Sequence, residues 1–472
     1  MKKLLLITAI LGMGLLSHAQ ITFEKNYDAG FLDSDEAHCL IQTSDGGYLM
    51  SGAAWAGDEA WYDICLIKTD ENGAWEWTKT FGEGEYNIEI GSAVVETGDG
   101  GYWIAGNTDG VSGNDDFWAI KTDANGEEVW SAVYGGDGQE FVSGGTKTND
   151  GGYILVGSTN SYGAGGDDVY IVKTDAEGNK LWTKTYGTDE MDYANDVQQT
   201  TDGGYIIAGA VNGYQDGYLI RTDANGDSLW TRVFGGPLTE EFFSVKQTGD
   251  GGFIVSGKNM SEGAGDYDAW LVKVDADGEE QWSKVFGGEK KDQGFSVSIT
   301  DDAGYFIVGY TESFAHADED SDMYWIKTND NGDTLWTKSF GDIMDDGGLS
   351  GLQTEDGGLV AAGYMYVSGE QLNYYLVKMT EDGTVDINTM TVVEDDIKVF
   401  PNPVVDRTTI EFPNPDAALF SMTITDINGR IVKRDASIAG NKFVVERGGL
   451  KSGLYFITIK GERTFKTRVM FK

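Results

Sequence analysis

The sequence predicts an all-β protein: a seven-bladed β-propeller with four-stranded blades, its last blade closed by an N-terminal strand, followed by a small C-terminal β-sandwich. Three observations predict it. The phrase Asp-Gly-Gly-Tyr, or a close variant of it, begins at Asp45, Asp99, Asp150, Asp202, Asp250, Asp302 and Asp356, at spacings of 54, 51, 52, 48, 52 and 54 residues. Each copy holds four strand-like runs separated by turn residues, with no helical periodicity. The seventh copy stops at Asp382-Gly383-Thr384-Val385 without its fourth strand, and a run of the missing type, Ile21 to Tyr27, stands ahead of the first copy.

In the fourth copy the predicted strands are Ala194–Thr200, Tyr205–Ala210, Gly217–Arg221 and Leu229–Phe234. Asp202-Gly203-Gly204 joins the first two and Asp223-Ala224-Asn225-Gly226 the last two, both of them turns that need positive φ at Gly or Asn. Six copies end on a strand marked by a tryptophan, at Trp77, Trp130, Trp182, Trp230, Trp282 and Trp336. Phe23 takes the tryptophan place in the displaced strand. A solenoid has no reason to borrow a strand from its far end, so the array is expected to close into a ring.

The flanks read differently. Lys2 and Lys3, the apolar run Leu4 to Leu16 and Ser17-His18-Ala19 have the layout of a secretory signal peptide over residues 1–19. Expected domains are the propeller at 20–386, a linker at 387–396 and the C-terminal sandwich at 397–472, with no transmembrane segment. From Ile397 onward there are 13 Lys and Arg against 7 Asp and Glu, whereas residues 1–396 hold 21 against 71. So acidic a body argues against nucleic acid and anionic membranes as partners. The two cysteines, Cys39 and Cys65, fall on the first and third strands of one copy, roughly 10 Å apart across a middle strand, which predicts two buried free thiols and no disulfide.

Positions that keep their chemistry in all seven copies are informative without any homologue. Thr43, Thr97, Thr148, Thr200, Thr248, Thr300 and Thr354 precede the turn aspartates by two residues and read as turn hydrogen-bonding groups. Ten residues before each turn aspartate stands an acid: Asp35, Glu89, Glu140, Asp192, Glu240, Asp292 and Asp346. One carboxylate at the start of every innermost strand would ring one mouth of the channel, as a site for a cation, calcium being the candidate, or for a cationic ligand; the alternative is that each acid caps the N–H groups of its own loop. A third set, Asp63, Asp116, Asp168, Asp216, Asp268 and Asp322, becomes Asn373 in the last copy, which favours loop architecture over metal ligation. The loops between second and third strands vary in length and carry Tyr, Trp, Asn and Ser, and make a plausible recognition surface on the face opposite the tight turns.

Catalytic patterns are scarce. Beyond the predicted signal only His38 and His316 remain, and no G-x-S-x-G, P-loop or H-E-x-x-H is present. A carboxylate pair acting on polysaccharide is the one enzymatic alternative the composition leaves open.

Lys121-Thr122-Asp123-Ala124-Asn125-Gly126-Glu127-Glu128-Val129-Trp130 and its copies resemble the tryptophan-docked blades of pyrroloquinoline-quinone propellers, and more closely the propeller repeats of secreted bacterial proteins. The quinoprotein version carries Thr-Gly in that turn and adjacent cysteines, both missing here, so no cofactor is expected beyond calcium. The tail resembles the C-terminal sorting domain of type IX secretion substrates of Bacteroidota. The matching residues are Pro401-Asn402-Pro403, Asp426 to Arg430 with Gly429 in its turn, Leu450 to Tyr455 with Gly453 and Tyr455, and the basic end to Lys472. The resemblance implies handling by the type IX machinery, cleavage near Met390–Asp396 by a sortase-like peptidase, and a place on the cell surface or outside the cell. The function expected is a monomeric, non-enzymatic binding or adhesion protein for an extracellular glycan or protein.

Overall fold

The computed structural model describes residues 23–29, 35–55, 62–82, 88–109, 114–213, 215–317, 320–341, 344–367, 371–379, 397–412, 419–425, 431–460 and 464–472. The expected signal peptide, linker and cleavage neighbourhood lie outside them. The chain divides into two compact units, residues 1–386 and 387–472.

The first unit consists of seven four-stranded antiparallel sheets. In the fourth, Tyr193–Gln199, Tyr205–Val211, Asp216–Thr222 and Ser228–Phe234 lie side by side in chain order. Thr200, read as a strand residue, belongs to the turn, because its N–H bonds Gly204 O at 2.9 Å and its hydroxyl bonds Asp202 at 2.6 Å. The two middle strands are buried except at half-buried Asp216 and carry unbroken apolar runs at their centres, as in Tyr218-Leu219-Ile220, while the outer strand shows exposed and half-buried positions.

Ring closure follows from two observations. Every innermost strand packs against the next, and the innermost strand of the seventh blade, Asp346–Gln353, packs against that of the first, Glu36–Gln42. Phe23–Tyr27 pairs antiparallel with Gln371–Met379 as the outer strand of the seventh blade, Phe23 opposite Lys378 and Tyr27 opposite Tyr374. The apolar layer at the seam joins Val360, Ala362 and Leu376 to Leu40, Met50 and Ile67.

Aromatic ring pairs lock six of the seven blade junctions, and at the other Trp336 packs on the apolar layer that contains Leu359. The outer-strand ring stands against the ring that follows the Gly-Gly turn of the neighbour: Trp77 on Tyr102 at 6.0 Å, Trp130 on Tyr153 at 6.3 Å, Trp182 on Tyr205 at 6.0 Å, Trp230 on Phe253 at 6.1 Å and Trp282 on Tyr305 at 5.9 Å. Phe23 makes the same contact with Tyr48 at 5.8 Å, which is why an aromatic residue is kept in the displaced strand. The tryptophan also needs room. Gly126 has φ +77°, and a Cβ there would stand 3.0 Å from the Trp77 ring and 2.8 Å from Lys79.

The second unit is a two-sheet β-structure. Lys398–Phe400, Arg407–Glu411 and Lys442–Glu446 form one sheet, and Ile431–Ala439, Leu419–Thr425, Gly453–Lys460 and Thr464–Phe471 the other. Ile410, Phe412 and Val445 of the first meet Phe420, Ile424, Ile457 and Val469 of the second in a common core.

Both cysteines are free and lie on the first and third strands of the first blade. Cys65 is buried. Cys39 is only half-buried, because it stands on the innermost strand beside the channel, and this corrects the expectation of two buried thiols.

Candidate ligand site at the mouth of the ring

The recurring threonines are turn residues. Thr43 Oγ1 donates to Asp45 Oδ1 at 2.6 Å, and Thr248 repeats the bond to Asp250 at 2.5 Å. The same aspartates take the buried cation of the third strand: Lys68 with Asp45 at 2.9 Å, Lys121 with Asp99 at 3.0 Å, Lys273 with Asp250 at 2.9 Å and Lys327 with Asp302 at 2.8 Å. Burial raises the Asp45 carboxyl, but bonds from Thr43, Lys68 and the Gly47 N–H outweigh it and bring it down to about 2. These pairs were missed from the sequence; their signal is that every copy keeps one Lys or Arg in its third strand, as at Lys68, Lys121 and Arg221, to match its turn Asp.

The seven acids at the starts of the innermost strands are all buried. Glu140 accepts the Gly136 N–H at 2.7 Å and the Thr159 hydroxyl at 2.5 Å, and Glu240 accepts Gly236 N–H at 2.6 Å and Ser261 N–H at 2.9 Å. Asp292 accepts Gly288 N–H at 2.8 Å together with the Thr311 and Ser313 hydroxyls. Asp192 holds the Thr188 N–H and, at 2.7 Å, the Asn212 N–H. Asp35 takes the N–H of Ala29 at 2.8 Å and Asp346 that of Tyr366 at 2.9 Å. The Glu89 N–H bonds Tyr62 O at 2.7 Å. Asp35, Glu140, Asp192, Glu240 and Asp292 thus each take an N–H of the blade-to-blade loop ahead of them, as a loop cap does, while Asp346 takes one from the end of its neighbouring strand. Among the described residues no group of three or more His, Cys, Asp or Glu is gathered as metal ligands.

The second recurring acids stand beside them at the start of the third strands. Asp168 accepts Ala164 N–H at 2.7 Å and Asp268 accepts Ala264 N–H at 2.7 Å, while Asp322 takes the backbone N–H and Nδ1 of His316.

What the sequence did not reveal is a β-bulge at one place in all seven innermost strands. The register slips between Ala37 and Cys39, Gly91 and Ala93, Val142 and Gly144, Ala194 and Asp196, Phe242 and Ser244, Gly294 and Ser296, and Gly348 and Ser350. The residues left unpaired are His38, Ser92, Ser143, Asn195, Phe243, Phe295 and Leu349, each half-buried on the inner edge of the ring. A bulge frees one residue from the ladder and re-aims its side chain. The backbone device is constant while the side chain changes, from His, Ser, Ser and Asn on one arc to Phe, Phe and Leu on the other. Enclosure pushes the His38 imidazole down to about 4. The signal that could have found these residues is their fixed position seven residues before each turn Asp.

The apolar arc is built up further. Phe243 and Phe295 lie 4.9 Å apart and Phe295 is 5.9 Å from Tyr310. Lys258 Nζ sits 5.5 Å from the Phe243 ring and 5.8 Å from that of Tyr267, and Lys291 Nζ 5.9 Å from Tyr267. The hydroxyls of Tyr267 and Tyr310 are 2.6 Å apart, and Glu241 joins Lys258 at 2.7 Å to the hydroxyl of Tyr193. Aromatic faces with two lysines and one held carboxylate are assembled on the channel edge of blades four to six.

In the tail, Asn402 Oδ1 accepts the Met470 N–H at 2.9 Å, and the N–H of Lys472 bonds Val404 O at 2.8 Å, so the Pro401-Asn402-Pro403 motif is knitted to the final strand. Tyr455 donates to Lys451 O at 3.0 Å and its ring meets Phe471 at 5.5 Å, which closes the loop ahead of Gly453. Asp426 and Gly429 lie outside the described residues. Residues 398–472 match the family described as the secretion system C-terminal sorting domain. The tail is a type IX sorting domain. This sorting domain marks the chain as exported, secreted or held at the cell surface.

No curated protein matches the chain. Among solved structures, the Pan2 WD40 domain of Neurospora crassa is similar at 8% identity over 72% of this chain and 88% of its own, with a TM-score of 0.45. Sqt1 of Chaetomium thermophilum gives 11% identity, 70% and 80% coverage and a TM-score of 0.42. A puromycin hydrolase gives 13% identity, 82% and 61% coverage and a TM-score of 0.47.

Proposed function

We propose that this chain is a non-enzymatic binding protein, delivered outside the cell by its sorting domain, which takes an extracellular glycan or peptide at the channel mouth around Phe243, Phe295, Tyr267 and Lys258. One observation carries this reading: a bulge repeated in all seven blades presents a side chain that varies, and the varied positions on one arc gather aromatic rings and lysines. Recognition sites join apolar and aromatic walls to a few fixed polar groups, and this arc has both. The sorting domain, in this reading, engages the type IX machinery and is removed by a sortase-like peptidase, with a signal peptide at residues 1–19 serving the first export step. A polysaccharide-cleaving enzyme finds less support, since the closest carboxylate pairs are buried at the blade junctions and Glu241 is already held by Lys258 and Tyr193.

The test is an array of extracellular glycans and peptides probed with the mature chain, with product release measured on every hit. Saturable retention without product supports binding. Release of shortened oligosaccharide would move the protein to the enzyme class.

A further inference from the structure

The strongest unexplained feature is the pairing of buried acids at the blade junctions. A Cβ added at Gly135 would stand 1.6 Å from Asp116 Oδ1 and 2.4 Å from Glu140 Oε2, so these two oxygens lie no farther apart than the sum of those distances. Gly187 reports the same closeness for Asp168 Oδ1 and Asp192 Oδ2, at 2.0 and 2.7 Å, and Gly287 for Asp268 Oδ1 and Asp292 Oδ2, at 1.8 and 2.6 Å. In each pair the third-strand acid of one blade meets the innermost-strand acid of the next. Two ionised carboxylates this close, with at most 5% exposure, repel one another in a medium that screens little.

The hydrogen bonds tell the two members apart. The innermost-strand acid points the facing oxygen at a loop N–H as well, Gly136 on Glu140 at 2.7 Å and Gly288 on Asp292 at 2.8 Å, which requires an acceptor. The facing oxygens of Asp116 and Asp268 are buried and have no partner. At the seventh blade the third-strand position is Asn373, beside Asp35, whose N–H bonds Leu372 O at 2.9 Å as Asp192 bonds Asp167 O at 2.6 Å and Asp292 bonds Tyr267 O at 2.8 Å. An amide has both an accepting oxygen and donating N–H groups, as a protonated carboxyl has an acceptor and a donor, so Asn373 can stand in this place as a neutral donor towards Asp35.

We infer that Asp116, Asp168 and Asp268 keep their protons well above the ordinary carboxylate range, each donating its carboxyl proton to the ionised acid of the next blade, Glu140, Asp192 and Asp292, as a bond that staples neighbouring blades. The proton sits on Oδ1 of the third-strand acid; when it leaves to water, two carboxylates face each other. The charged and titratable groups facing Asp116 are Glu140 from the next blade, Asp115 on its own strand, and Tyr162 and Tyr170 of the third blade, none of them a cation. Asp167, Asp189 and Asp192 face Asp168, and Asp292 and Tyr324 face Asp268. Burial and then Glu140 push Asp116 up to about 7, while burial and the neighbouring acids raise Asp168 and Asp268. Burial also acts on Glu140, but bonds from Ser161, Thr159, Gly136 and Asp116 prevail and lower it.

A folded value above the unfolded one of about 3.9 means stability that is complete at low pH and lost as pH rises through the folded value, here near 7 for Asp116. The experiment compares thermal unfolding of the full mature chain with Asp116→Asn, Asp168→Asn, Asp268→Asn, their triple combination and Glu140→Gln, between about pH 5 and about pH 9, with and without calcium. Infrared spectra of the same samples read protonated carboxyl groups. The expected result is an unfolding temperature that falls with rising pH in wild type and hardly changes in the triple Asn variant, which also loses protonated-carboxyl absorption present at neutral pH. Glu140→Gln is expected to unfold earlier than wild type at acidic pH, since an amide oxygen is the weaker acceptor for its loop and for the Asp116 proton, and to lose less stability as pH rises because the facing charge is gone. Parallel pH profiles of wild type and triple variant, an unchanged carboxyl band, or a calcium-dependent rise in wild type that the triple variant loses, would each overturn the proposal, the last by placing a metal ion between the acids.

Discussion

At the scale of the residue, the buried third-strand cations of this acidic chain are held by the turn aspartates. Lys327 is buried and holds Asp302 at 2.8 Å and Thr328 O at 3.1 Å. Replacing it by methionine is expected to cost about 1–3 kcal/mol, the penalty for a buried hydrogen-bond set left open, read as a lower denaturation midpoint. The aspartates of these turns titrate in the opposite sense to the junction acids. Asp250, lowered to about 2 mainly by Thr248 and Lys273, contributes stability above the unfolded value of about 3.9, and that contribution is lost as pH falls through about 2. Acid titration of Asp250→Asn should therefore show a shallower loss of stability at the low end than wild type. At this scale the sequence was half legible. The repetition of Thr43 and its copies announced a turn role, but the acids at Glu140 and Asp292 repeat equally well as a ligand ring or as loop caps, and only burial and the direction of each N–H distinguish the two.

At the scale of the element, the blade was readable because its four strands carry turn residues at fixed intervals, and the fourth blade departs from expectation only at strand ends, where Thr200 belongs to the turn. The interlock between blades follows from the outer-strand aromatic residue and the glycine that admits it. Trp182→Ala removes a ring packed on Tyr205 and opens a void at a junction, an expected loss of about 3–5 kcal/mol in chemical denaturation. Gly126→Ala places a Cβ against Trp77 at a φ of +77°, and backbone strain alone predicts a loss of about 1–2 kcal/mol. The bulge was not legible. Phe243 and Phe295 sit in strands of mixed polar and apolar residues, and nothing in composition says that a ladder skips one residue.

At the scale of the whole molecule, closure and export are separable. The ring is sealed by Phe23–Tyr27 on Gln371–Met379, so a mature chain lacking residues up to Tyr27 exposes the edge of the seventh blade and is expected to associate through it, seen as higher oligomers in light scattering. Loss of residues 398–472 should leave the propeller folded and trap it inside the outer membrane, checked by cell fractionation. The tail was legible because its motifs are ordered along the sequence, whereas the candidate ligand site was not, because it joins positions about fifty residues apart that meet only when neighbouring blades pack, as Phe243 does on Phe295.

The most direct test of the account is binding of an array-identified ligand to Phe243→Ala/Phe295→Ala beside Ser92→Ala/Ser143→Ala, two changes at equivalent places on opposite arcs of one ring. The account predicts at least a tenfold loss of affinity, about 1.4 kcal/mol, for the aromatic pair and little change for the serine pair. Equal binding by both variants, with unfolding temperatures unchanged, would contradict it and move the ligand away from the channel mouth.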